Sequence, residues 1–224
     1  MGPVNQLPLT ILEEFLLLAL NDEAGQFYSL ARSTLDCASA GAVLMDLTLH
    51  HRLDNDLKSM FITHGMPIGD DLLDPVLEAL KLAPVTTPHS INHWLSQMAG
   101  EGEALREKAL RRLEERGIIK REDKKILWVF GSRHYPVQHD SEVREVKLRI
   151  LGVILRDDIP NPHDMMLTAL AQSCGLFSHI LSRQELEAAL PRIELVAKMD
   201  LIGQAVARAV GEIEAAIVLT TGFR

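Results

Sequence analysis

Residues 9–25 read LTILEEFLLLALNDEAG. Thr10 stands three residues before Glu13. At that spacing the threonine hydroxyl accepts the Glu13 backbone N–H, and the Glu13 carboxylate accepts the N–H of Thr10. A helix therefore starts here. Ile11, Leu12, Phe15, Leu16, Leu17, Leu18 and Leu20 leave it apolar on most sides, which marks a helix sunk into a core rather than laid on a surface. Asn21 to Gly25 ends it, with Gly25 free to take a positive φ.

Working outward, helices dominate. Leu35 to His50 forms a second one, with the small residues Ala38-Ser39-Ala40-Gly41-Ala42 allowing close approach of another element. Val43, Leu44, Leu47 and Leu49 serve as its core side chains. Arg52 to Thr63 alternates around Asn55-Asp56 and reads as a small hairpin. Pro67-Ile68-Gly69-Asp70 is a turn. It opens a helix capped by Asp70 or Asp71, with Leu72, Leu73, Val76, Leu77 and Leu80 in register. A short helix at Ile91–Met98 follows, and Gly100-Glu101-Gly102 separates it from an amphipathic helix over Glu103–Arg116 that stops at Gly117. Ile118–Lys120 and Ile126–Phe130 are β-like runs flanking a charged turn, Arg121–Lys125. Asp140–Leu155, Met165–Cys174, Gln184–Leu190, Ile193–Met199 and Leu201–Val218 complete the helices. Residues 1–8 read as a lead-in and 9–224 as one domain. The predicted fold is mainly all-α: a compact helical bundle with a protruding β-hairpin.

Composition agrees. Aromatic residues make up only 4% of the 224, too few for a sandwich or barrel, whereas 47% apolar residues suffice for a sizeable core. Cys37 and Cys174 cannot build a disulfide framework, which favours a cytoplasmic setting. No apolar run reaches the roughly 20 residues of a membrane span. MGPVNQLPLT lacks the basic region of a signal peptide, and Gln6 stands where myristoylation needs Ser or Thr.

Signals for chemistry are absent. There is no G-x-G-x-x-G, no phosphate-binding loop and no G-x-S-x-G elbow. His89 and His93 share a helix spacing, but Ser90 stands where a metalloprotease has Glu, and no third ligand is at hand. His50-His51 suit a helix C-terminus, and Asp70, Asp71 and Asp74 suit a helix start. Cys37 reads as a buried, inert thiol. The expectation is no enzyme, no metal and no cofactor.

The strong asymmetry is charge. Between Arg106 and Lys125 nine basic residues face five acidic ones, a net of +4, which leaves −12 for the rest of a chain whose total is −8. Such polarisation orients a protein toward an anionic partner. Trp128 and Phe130 beside Lys124 and Lys125 resemble a membrane-interface element. A helix followed by a hairpin also describes a winged-helix DNA reader, but an acidic remainder repels DNA, so no nucleic-acid partner is expected. The expected lipid-binding residues are Arg106, Arg111, Lys120, Arg121, Lys124, Lys125 and Trp128, which together with Arg112 should form one positive face.

In order along the chain, several segments resemble the Golgi phosphoprotein 3-like family. They are Leu9–Gly25, Ala40–Leu47 closing at Arg52-Leu53, Pro67–Asp74, Trp94, Leu113–Ile119 with its hairpin, and Asp200–Val206. The resemblance covers about residues 9–218. It implies a non-enzymatic peripheral membrane protein that binds phosphatidylinositol 4-phosphate and short cytoplasmic tails of glycosyltransferases. It also implies a lipid pocket built from a Trp and an Arg near the small-residue helix, with two Arg before the hairpin. By position, one of that last pair falls at Arg106 and the other at Glu103. The Arg before the glycine falls at Ala40, and no Trp stands between Gly25 and Gly41. The pattern looks like the prokaryotic branch of the family. Expected partners are anionic lipid headgroups and short tails of membrane proteins; self-association is left open. The competing reading is a soluble helical scaffold that binds only protein.

Overall fold

The computed structural model describes residues 8–21, 25–56, 59–82, 89–123, 133–138, 140–156 and 158–221. Helix α1 (Ile11–Ala19) starts at the Thr10–Glu13 capping box, and all nine of its residues are buried. It passes into β1 (Leu20–Asn21), which pairs with β2 (Gln26–Phe27), so a short ladder stands where the sequence predicts only a helix end. Helix α2 (Arg32–Leu49) follows, and it starts three residues earlier than its apolar period suggested. β3 (Leu53–Asn55) and β4 (Met60–Ile62) then form the expected small hairpin, with Leu53 opposite Ile62.

Helix α3 (Asp74–Leu82) begins later than expected. Asp70 caps the turn before it, accepting the N–H groups of Leu72 at 2.8 Å and Leu73 at 3.0 Å. Asp74 then accepts from Ile68 and Gly69. Helices α4 (Ile91–Ala99) and α5 (Gly102–Glu115) are joined by a tight turn and not by a separator between halves.

β5 (Glu122–Asp123) pairs with β6 (Arg133–His134), and a bridge joins Ile119 to Val137. This corrects the expected hairpin. The run from Ile118 to Asp123 lies along residues 133–138, so Glu122–Asp123 is ladder and not turn. The Ile126–Phe130 run lies outside the described residues. Helices α6 (Asp140–Leu155), α7 (Pro162–Ser173), α8 (Phe177–Ile180), α9 (Arg183–Ala197) and α10 (Leu201–Thr221) complete the chain. The two helices expected at Gln184–Leu190 and Ile193–Met199 are one helix, with Pro191 inside it.

Helix α2 is the axis of the bundle. It packs against α1, α4, α5, α7 and α10. Its small residues make this possible: a Cβ on Gly41 would stand 2.4 Å from Val206 Cγ2 of α10, closer than any side chain tolerates. Phe15, Leu16, Leu17, Leu44, Met45, Leu47 and Phe177 fill the centre. Each such side chain contributes about 1.5–3 kcal/mol by leaving water. The fold is therefore mainly helical, as expected, with three short antiparallel strand pairs among the described residues.

Candidate functional site

Helix α5 carries most of the basic residues, so its orientation decides what they do. Leu105, Ala109, Leu110 and Leu113 face the core. Gly102 sets the depth of its first turn: a Cβ there would meet the Asp36 backbone at 2.4 Å, so only glycine lets α5 lie this close to α2. At the other end Gly117 takes φ 72°, and Ile118 N–H returns to the Leu113 carbonyl, a glycine-terminated helix end that turns the chain into β5.

The close approach draws two of the expected surface cations inward. Arg106 is buried and donates to Asp36 at 2.7 Å. Beside it, Arg32 pairs with Glu103 and reaches Asp36 at 3.9 Å. The charges at the α2–α5 crossing thus satisfy one another. Arg112, with only 13% of its side chain exposed, lies 3.1 Å from Glu13 and 2.8 Å from Asp70, and it also touches Asp71. Burial works against its charge, yet Asp70 and Glu13 hold its pKa above the ordinary arginine value. Arg106 and Arg112 are therefore structural, and the single positive face expected from the sequence does not include them.

Other cations do face solvent. Arg111 is exposed and takes part in none of the ion pairs found among the described residues. Lys120 is 58% exposed beside Glu122, and Arg121 sits 3.3 Å from Glu107. The exposed Lys120–Glu122 pair contributes little and gives way readily to a stronger anion. Lys124, Lys125 and Trp128 lie outside the described residues, as does Phe130.

A second constellation, unforeseen in the sequence, surrounds the start of α1. Glu13 meets Arg112, while Glu14 meets Arg149 of α6 and, at 3.0 Å, His163 of α7. Arg149 also binds Asp164. Asp46 of α2 accepts the Ile11 N–H at 3.0 and 3.2 Å. Burial pushes the Glu13 carboxyl up; although burial also opposes a charge on Asp70, its hydrogen bond to Arg112 holds that carboxyl down. The Glu14 contact holds His163 above its usual value against the effect of burial. The only sequence signal for this hub was the pair Glu13-Glu14 inside an otherwise apolar helix.

His89 and His93 do sit together, their rings stacked 4.0 Å apart, and Trp94 meets both edge-on. No group of three metal-ligating side chains occurs among the described residues. Cys37 is buried, and burial pushes its thiol up to about 11, away from nucleophilic use. A cavity of about 640 Å³ between the β3–β4 hairpin and the start of α7 is lined by His51, Leu53, His64, Pro162 and Met166, and none of these belongs to the basic segment.

A family model described as Golgi phosphoprotein 3 (GPP34) matches residues 11–213. The chain belongs to the Golgi phosphoprotein 3 family. The match takes in both the basic segment of α5 and the charged hub around α1. Among curated relatives, the vacuolar protein sorting-associated protein 74 of Eremothecium gossypii is 26% identical over 193 residues, 77% of this chain and 56% of that protein. Its namesake in Schizosaccharomyces pombe is 26% identical over 166 residues, 65% of this chain and 48% of the relative. The chain thus spans about half the length of these relatives. Both are fungal and lend no support to the narrower, prokaryotic reading.

Proposed function

We propose that this member of the Golgi phosphoprotein 3 family is a peripheral module that docks on anionic lipid headgroups through cations between Arg111 and Lys125. Arg111, Lys120, Arg121, Lys124 and Lys125 are the attracting charges, and Trp128 is the apolar anchor. No catalytic step is assigned to it, and its role on the membrane is that of an adaptor for membrane proteins. Family membership supports the lipid reading, and the relatives' name, which speaks of vacuolar protein sorting, agrees with a part in membrane traffic. Among the described residues no helix is long and apolar enough to cross a membrane, so contact would be peripheral.

One observation gives the proposal its form: Arg106, the one pocket position that the family resemblance matches, is buried against Asp36. A guanidinium already neutralised at 2.7 Å is a poor seat for a phosphate. The five cations named above instead offer diffuse charge, at roughly 1 kcal/mol each near an anionic leaflet. Phosphatidylinositol 4-phosphate would then bind as one anionic lipid among several. The test is flotation on neutral phosphatidylcholine vesicles and on vesicles carrying phosphatidylserine or phosphatidylinositol 4-phosphate at matched surface charge. Equal flotation with the two charged sets and none with the neutral set is expected. Strong preference for the phosphoinositide would sink the diffuse-charge reading, and no flotation at all would favour a scaffold that binds only protein.

A further inference from the structure

Five buried carboxylates converge where the start of α1 meets its neighbours: Glu13 and Glu14 of α1, Asp46 of α2, Asp70 of the turn before α3, and Asp164 of α7. Among the described residues the cations facing them are fewer. Arg112 comes from α5 and Arg116 is the residue that caps its end; Arg149 comes from α6 and His163 from α7. With His163 protonated, one carboxylate is left without a balancing charge. The contacts identify which one. Glu13 and Asp70 pair with Arg112, Glu14 pairs with Arg149 and His163, and Asp164 pairs with Arg149. Among the described residues Asp46 touches none of these cations, and its oxygens accept only the Ile11 N–H at the start of α1.

We propose that Asp46 carries a proton in the folded protein at mildly acidic pH, where a free aspartate is ionised, and that the hub is a proton-controlled latch on the start of α1 that loosens as the pH rises.

An unpaired carboxylate in the core is strongly disfavoured, and it is relieved either by a cation or by a proton. Here the helix N-terminus and the more distant His163 favour the charged form, while burial, Glu13 and Asp70 disfavour it. Burial wins and pushes the Asp46 carboxyl up to about 7. Near Gly41, α4 and α10 present the apolar Leu95 and Val206 to α2. At the far end of α2, His50 and Arg52 lie within range of Asp70.

The sign follows from linkage. The folded value lies above the ordinary aspartate value, so the stability contributed by the bound proton is present in acid and is lost as pH rises through about 7. His163 is raised as well and acts in the same direction, so a pH profile of the wild type alone would not isolate Asp46. The experiment is urea unfolding of the wild-type chain and of Asp46→Asn at pH 6 and pH 8. The asparagine keeps an acceptor for Ile11 N–H but cannot ionise. The wild-type folding equilibrium constant should fall about tenfold more than that of the variant. Equal falls would overturn the proposal. If Asp46→Asn does not fold, carboxyl-carbon NMR of the wild type and of Asp200→Asn, both labelled at aspartate, decides. One aspartate should titrate near neutral pH in both proteins. The proposal fails if none does, or if the titration disappears in Asp200→Asn, whose own buried carboxyl is also raised.

Discussion

Arg112 shows what a single residue does in this fold. It stands between two carboxylates from different parts of the chain, and their separation from it in sequence hid the arrangement. Its hydrogen bond to Asp70 spans 42 positions and that of Arg106 to Asp36 spans 70. Counting charges along the segment therefore gave the correct net charge but not the direction in which the side chains point. Arg112→Ala removes the cation and leaves Glu13 and Asp70 buried without it. A loss of about 3–5 kcal/mol is expected in urea unfolding at neutral pH. Arg111→Ala, one position away and exposed, should change stability by no more than about 0.5 kcal/mol. Similar losses for the two would contradict the assignment of Arg112 as structural.

At the scale of elements, what was legible was local. The Thr10–Glu13 capping box lies within four residues, and the structure contains it with both bonds made. Thr10→Ala should cost about 1 kcal/mol, measured as a lower midpoint in urea with unchanged slope. Pro191 misled in the other direction. A proline disfavours a helix interior by about 3 kcal/mol, yet α9 runs through it, held by Ala189, Ile193 and Val196 buried on either side. Tertiary packing overrode the local rule. The hairpin departs from its reading for a related reason: Arg121–Lys125 is so charged that it reads as a turn, but the backbone pairing of Glu122 and Asp123 to His134 and Arg133 does not depend on side-chain type. Gly102 reads in the sequence only as part of a separator, because close helix approach leaves no periodic trace. Gly102→Ala should force α5 away from Asp36 and break the Arg106–Asp36 pair, lowering the thermal midpoint by several degrees.

For the whole molecule, the charge separation of +4 against −12 is compatible both with the protein docking on a membrane and with its standing as a scaffold. The buried pairs reduce the free positive charge on α5, so the docking account rests on the hairpin end. Binding there should weaken as salt rises, because the screening length shrinks from about 10 Å at 0.1 M to about 3 Å at 1 M. The most direct measurement is flotation on phosphatidylserine-containing vesicles of the wild-type chain and of a variant with Lys120, Arg121, Lys124 and Lys125 all changed to Glu. The account predicts that the wild type floats at low salt and is released at high salt, while the variant stays at the bottom of the gradient. Equal flotation of the two, or no flotation of either, would contradict it.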